Sequence, residues 1–246
     1  MNRPLQTLLL ASFLSLIGPV GVATADEAES LPTHSESEGS TLAPAEAAIE
    51  TLRERVGDPY DFSEVGFTFV VEREGAEVVR RSHLWRPQEG TISVSDGVSS
   101  IVLDVSRRDP SAWTANPEAF QEEWESVSPG TPPAEAAQAW TGFINDSFWL
   151  FAPAKLAGSG AEVAVNGQTI SVTFPSGGVT PGDSYEFDLN PETGLVDQWS
   201  FVLVSGREGS FSWTDYLEVS GLWVSTQRTS ADGSTVIRFE DVRASR

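Results

Sequence analysis

The sequence predicts a mainly β protein with helices, of the α+β class, in which about eleven antiparallel strands are interrupted by a long apolar helix. Three observations carry that expectation. Short runs rich in Val, Ile, Thr, Phe and Trp recur along most of the chain, separated by Gly-, Asn- and Asp-containing turns, as hairpin-connected strands do. The stretch Trp140–Leu156 gathers Trp140, Phe143, Ile144, Phe148, Trp149, Leu150, Phe151 and Leu156, together with Lys155, the one lysine of the sequence. Several strand runs are apolar on both faces, so the sheet must be covered on both sides or wrap around an interior.

The 246 residues, 39% of them hydrophobic, suffice for one large domain, expected over residues 43–246. The absence of cysteine excludes disulfides, cysteine-ligated zinc, iron–sulfur clusters, thiol nucleophiles and a cysteine-borne lipid anchor. With 36 acidic against 15 basic residues the formal charge is −21. Such a surface repels phosphate, so no nucleic-acid partner is expected. A solubility bias accounts for the acidity, and adaptation to high salt, where screening relieves self-repulsion, is the alternative.

Met1–Ala25 reads as a secretory signal: Arg3 supplies the positive start, Leu8–Ile17 the apolar centre and Ala23-Thr24-Ala25 the cleavage site. That centre falls short of the roughly 20 apolar residues a spanning helix needs, and no later segment reaches that length. A periplasmic or secreted protein without a transmembrane anchor, cleaved after Ala25, is expected. Residues 26–42, rich in Glu, Ser, Thr and Pro, read as a disordered acidic linker, and His34 within it has no fixed partners.

From Pro44, the spacing of Ala48, Leu52 and Val56, broadened by Ile49, predicts an amphipathic helix stopped by Gly57-Asp58-Pro59. Strands at Phe67–Arg73 and Val78–Trp85 flank Glu74-Gly75-Ala76, and strands at Thr91–Ser95 and Ser100–Val105 flank Asp96-Gly97, giving a four-strand meander. Asn116 and Pro117 cap and open a short helix reaching Trp124. A second helix runs from Pro133 to Phe151, with Ala134, Ala137, Trp140, Ile144, Phe148 and Phe151 on one face and Pro153 ending it. Seven strands follow, at Ala161–Val165, Thr169–Phe174, Tyr185–Leu189, Val196–Val204, Gly209–Tyr216, Gly221–Gln227 and Thr235–Val242. Trp199–Val204 and Gly221–Val224 are the runs apolar on both faces.

This order of elements resembles the superfamily of periplasmic lipoprotein carriers and outer-membrane lipoprotein receptors. The hairpin Tyr185–Trp199 is similar to that superfamily's strand pair of aspartate, turn and Thr-Gly-Leu. Asn145–Leu156 is similar to a motif of exported bacterial proteins of unassigned function with that fold. The resemblance spans roughly Ala43 to Val242. It implies a curved, open antiparallel half-barrel closed by a helical lid or plug, and binding of acyl chains or another apolar ligand. Two departures stand out: the lipid-anchor cysteine of the receptors is missing, and the chain is strongly acidic.

Catalytic signals are sparse. His83 shares a strand face with Arg81 and Trp85 and reads as a hydrogen-bonded strand histidine, since no second structured histidine exists to build a metal site. No Gly-x-Ser-x-Gly elbow supports a Ser-His-Asp triad, and no local motif selects a carboxylate pair for glycoside hydrolysis. Asp146, mid-helix among aromatics, is expected to accept from an arginine or backbone amides. The alternative places Asp146 and Lys155 as opposite charges at the rim of a cavity. Lys155 follows a helix end, where a cation suits the carbonyl dipoles, and could greet an anionic headgroup.

The function expected is binding of an apolar or amphipathic ligand, such as a lipid or acyl chain, in the cell envelope. Trp140, Phe143, Trp149, Phe151 and Lys155 of the helix and Trp199, Phe211 and Trp213 of the strands are the expected ligand-binding residues. A ligand-free envelope scaffold or interaction module, with an envelope protein as partner, is the alternative; a hydrolase of an envelope polymer is a third. No catalytic residue, metal or cofactor is expected.

Overall fold

Eleven strands form one antiparallel sheet in the computed structural model, which describes residues 42–106, 126–156, 161–173 and 182–246. The expected signal, the linker up to residue 41 and the short helix at Asn116–Trp124 lie outside the described residues. The strands are β1 (Glu64–Arg73), β2 (Ala76–Arg86), β3 (Thr91–Ser95), β4 (Ser100–Asp104), β5 (Glu162–Asn166), β6 (Thr169–Thr173), β7 (Ser184–Leu189), β8 (Val196–Val202), β9 (Glu208–Val219), β10 (Leu222–Ser230) and β11 (Thr235–Ser245). Their order is β4-β3-β2-β1-β11-β10-β9-β8-β7-β6-β5, so the chain starts mid-sheet, meanders to one edge, crosses over and returns from the other. The sheet closes on itself nowhere: β4 and β5 are its free edges. Among the described residues two α-helices, α1 (Leu42–Val56) and α2 (Pro133–Lys155), accompany the sheet, α2 lying in the crossover.

The sheet must curve. Phe143 of α2 lies 5.5 Å from Trp85 on β2, and Phe148 lies 6.0 Å from Tyr185 on β7, centroid to centroid. Those strands are six steps apart in the sheet order, about 29 Å across if flat. The two phenylalanines are separated by only about 7.5 Å along the helix axis. One face of the sheet therefore wraps around α2, and alternation aims Phe67, Phe69, Trp85, Ile92, Val172, Phe187, Trp199 and Phe211 into that hollow, where all are buried.

The outer face is polar across its middle. Arg238 pairs with Glu72 at 2.6 Å, and Arg80 pairs with both Glu77 and Glu240 at 2.8 Å. This corrects one sequence expectation. Val202 and Val204, the second apolar face of the Trp199–Val204 run, are 52% and 66% exposed, so nothing covers them. Scattered outer valines suit a strand's preference for β-branched residues without requiring a second layer.

Ala45, Ile49, Leu52 and Val56 form the buried stripe of α1. The helix stops at Gly57, whose φ of +84° only glycine adopts cheaply and whose N–H donates to Arg53 O at 2.8 Å. A side chain there would also collide with Gly221 O, 2.5 Å from a Cβ, so glycine lets the helix end meet the β9–β10 turn.

Helix α2 departs from the sequence expectation twice. Pro153 does not end it: Phe151 adopts φ −117° and ψ 16°, and the helix resumes to Lys155. Proline lacks the N–H for one helical bond and crowds the preceding turn, which here produces a kink rather than a stop. Nor is α2 one-sided. Nearly every residue from Ala136 to Lys155 is buried, because the sheet wraps it and α1 packs on it. If α2 is packed into the hollow in this way, Trp149→Ala should cost about 3–5 kcal/mol of unfolding free energy in urea titrations, the toll of a cavity in a core. A loss below about 1 kcal/mol would contradict that packing.

Candidate functional site

Arg81, His83 and Trp85 lie on the inward face of β2, opposite the middle of α2. Asp146 of α2 is fully buried among them. Its carboxylate accepts from Arg81 Nε at 2.8 Å and Nη2 at 2.7 Å, from His83 Nε2 at 2.7 Å and from Asn145 Nδ2 at 2.8 Å. Since an ionised carboxylate only accepts, the proton lies on His83 Nε2. His83 Nδ1 has no hydrogen-bond partner among the described residues. Burial alone would push the Asp146 carboxyl up, but the bonds from His83 and Arg81 outweigh it and hold the group below the usual carboxylate range. Burial likewise works against the Arg81 charge, and Asp146 overrides it.

Lys155 sits past the kink and inside the molecule, only 6% exposed. Its ammonium donates to Ser147 Oγ at 2.9 Å and lies 5.6 Å from the Trp85 ring centroid and 6.0 Å from that of Phe143. Among the described residues no carboxylate lies within ion-pair distance of it. Burial without a counter-ion pulls its pKa down from 10.5 to about 7. The rim arrangement is thus overturned for both charges: wrapping of the sheet encloses Asp146 and Lys155 alike. The expected contact held, Asp146 answering an arginine.

The other expected residues come together as one aromatic cluster. Trp149 packs on Trp199 at 4.4 Å and on Phe211 at 5.0 Å, and Trp199 meets Trp213 at 6.0 Å. Phe151 touches Phe67 and Trp85 at 6.0 and 6.4 Å, and Trp140 touches Phe143 at 6.1 Å. All are buried, so they fill the hollow rather than line open space. A hollow of about 170 Å³ opens at the sheet's end beside Phe201 and Phe211, bordered by Arg207, Ser230 and Thr235. Gly209 belongs there, since a Cβ on it would lie 2.6 Å from the Phe201 ring.

Sequence reasoning passed over two groups, Ser147 as the partner of Lys155 and Arg228. The latter has the same parity on β10 as the buried Leu222 and Val224, so alternation alone places it inside.

Fold and site define an open antiparallel half-barrel whose hollow holds a helix tied down by buried charges. Among solved structures the chain is similar to a LolA superfamily protein from Nitrosomonas europaea, at 13% identity over 82% of this chain and 93% of that one, with a TM-score of 0.40. It is similar also to a DUF1329 family protein from Desulfovibrio piger, at 14% identity over 82% and 93% with a TM-score of 0.40. A third is an outer membrane lipoprotein-sorting protein domain from Vibrio parahaemolyticus, at 10% identity over 82% and 92% with a TM-score of 0.39. No protein-family model matches the chain, and no curated protein matches it.

Removing the Asp146 carboxylate strands Arg81 and His83 without their acceptor. Asp146→Ala should therefore lose about 3–5 kcal/mol in chemical denaturation, and a loss near zero would show that the cluster is solvated rather than buried. Lys155 gives a pH test. Its folded pKa of about 7 lies below the unfolded value of about 10.4, so between those pH values the unfolded chain holds the extra proton. Stability should rise with pH across that window, by up to about 1.4 kcal/mol per unit, the burial penalty being complete below it. Lys155→Met should be the more stable protein at pH 6, with an advantage that shrinks toward pH 10. A difference independent of pH would contradict the burial of the charge.

Proposed function

We propose that the chain is an exported binding protein for an apolar or amphipathic ligand such as a lipid or acyl chain, acting in the cell envelope or beyond it. The observation that carries this reading is the attachment of α2 to the concave face. A helix meant only as core is held best by apolar packing, and a buried ion pair adds little stability over hydrophobic residues of similar volume. Here α2 is fixed to β2 by Asp146, Arg81 and His83, on a sheet with two unjoined edges. Such a contact fixes one orientation of the helix. Water can also re-solvate its groups if the helix lifts, which favours a plug that gives way to a ligand. Trp140, Phe143, Trp149 and Phe151 would then yield the space, and Trp199, Phe211 and Trp213 would line it, with Lys155 beside the entering molecule.

The filled interior favours a second reading, a ligand-free scaffold in which the same aromatics are plain core. Native mass spectrometry and lipid extraction of the purified full chain, with uptake of a fluorescent fatty acid, separate the two. The binding reading expects extractable lipid or saturable uptake at about one ligand per chain. An empty chain that takes up no fatty acid overturns it in favour of the scaffold.

A further inference from the structure

Arg228 is completely buried on the concave face, and its partners account for only part of its guanidinium. The plane lies over the Trp213 ring, 3.9 Å from its centroid, with Phe239 at 4.7 Å. Nη1 donates to Ser225 O and, at 3.2 Å, to Ser225 Oγ. Nε and Nη2, which form one edge of the guanidinium, have no hydrogen-bond partner, and no carboxylate lies within ion-pair distance among the described residues. The indole N–H of Trp213 is buried without a partner as well.

The same molecule shows what that edge is for. Arg81 uses its Nε and Nη2 to grip both oxygens of Asp146. Arg53, Arg80, Arg86 and Arg238 also each meet a carboxylate, as expected in a chain with 36 acidic residues. Arg73 has the same two atoms buried and unanswered, although the residue as a whole is partly exposed. Arg228 is the fully buried case. Burial pulls its pKa down to about 9, which leaves it charged at neutral pH. An enclosed cation with two parallel donors unmet lacks a counter-ion, and leaving such donors unmet is costly.

We propose that Arg228 is the headgroup site of the binding hollow, taking the carboxylate of a long-chain acid side-on through Nε and Nη2. The inference rests on the ligand-binding function proposed above and specifies the ligand's charged end. Two parallel N–H groups match the two oxygens of one carboxylate. A phosphate dianion would bring a second negative charge, and no second cation acts on Arg228 among the described residues. The chain of the acid would lie along Trp213 and Phe211 toward the hollow bordered by Ser230 and Thr235, since Trp213 opposes Arg228 and Phe211 opposes Ser230 across the β9–β10 ladder.

The test compares laurate with dodecanol, equal in chain length and differing in charge, by displacement of a neutral fluorescent probe from the full chain at neutral pH. Laurate should bind about 10- to 100-fold more tightly than the alcohol, the usual worth of charged hydrogen bonds. Arg228→Met should abolish the preference, bringing laurate down to the alcohol's affinity. Equal affinities in the parent protein, or a preference for laurate that survives Arg228→Met, overturn this assignment and leave the apolar-ligand reading standing. Binding of neither ligand overturns both. Dodecyl phosphate binding far above laurate, or displacement by acetate alone, overturns the long-chain carboxylate. Should Arg228→Met fail to fold, the parent protein still decides: carboxyl-13C laurate, followed by NMR, should titrate at lower pH when bound than when free, and an unshifted carboxyl overturns the contact.

Discussion

One carboxylate without solvent contact, Asp146, sets where the central helix sits. It accepts two bonds from Arg81 and one from His83, both on β2, and one from its helix neighbour Asn145, so two side chains of one strand hold the helix in place. Apolar packing alone would let α2 slide or rotate over a concave face that offers aromatic rings nearly everywhere. A set of directional bonds in a low-dielectric interior does not, because each partly broken arrangement leaves a buried charge unmet. The position of Phe143 against Trp85, of Trp149 against Trp199 and of Lys155 beneath the kink all depend on that fixed point.

The strands were legible in the sequence because each is local. Alternation and turn chemistry at Glu74-Gly75, Asp96-Gly97 and Asn166-Gly167 specify hairpins without reference to anything distant, and all eleven strands fall where those signals put them. Curvature is not local, and the misreadings trace to it. A helix pattern assigned to one face fails for α2 because a wrapped sheet offers it contacts all round. The alternative that set Lys155 and Asp146 at a rim fails for the same reason. Yet the run Phe143–Leu156 is apolar on every side of its helical wheel, a pattern that itself signals burial all round. Pro153 misled differently: proline marks a break in hydrogen bonding, and whether the chain then ends or kinks is decided by what packs beyond it.

Among the candidate site residues, identity was legible and role was not. The aromatic positions read from the sequence do converge, but on one another, and a sequence carries no signal for whether a hollow is filled by its own helix. His83 and Arg81 were recognisable by parity with Trp85 on one strand face. Their common partner, sixty-odd residues away, became plausible only because Asp146 lay in a segment too apolar to leave a carboxylate alone.

The distribution of charge gives the hollow its character. The chain carries −21 overall, and the outer face of β11, β1 and β2 is laced with arginine–carboxylate pairs. Around α2 the balance reverses: Arg81, Lys155 and Arg228 point inward, Asp146 answers Arg81, and neither Lys155 nor Arg228 has a carboxylate within ion-pair distance among the described residues. Field lines from these cations are confined by aromatic walls, whereas the outer carboxylates act through water and are screened within about 10 Å. An anion approaching from solution is therefore repelled until it enters, and attracted once inside. An apolar tail removes that barrier, because burying each methylene gains about 0.8 kcal/mol whatever the surface charge. On the binding function proposed above, a molecule with both parts, a greasy chain and one negative end, would meet complementary charge inside and no obstacle outside.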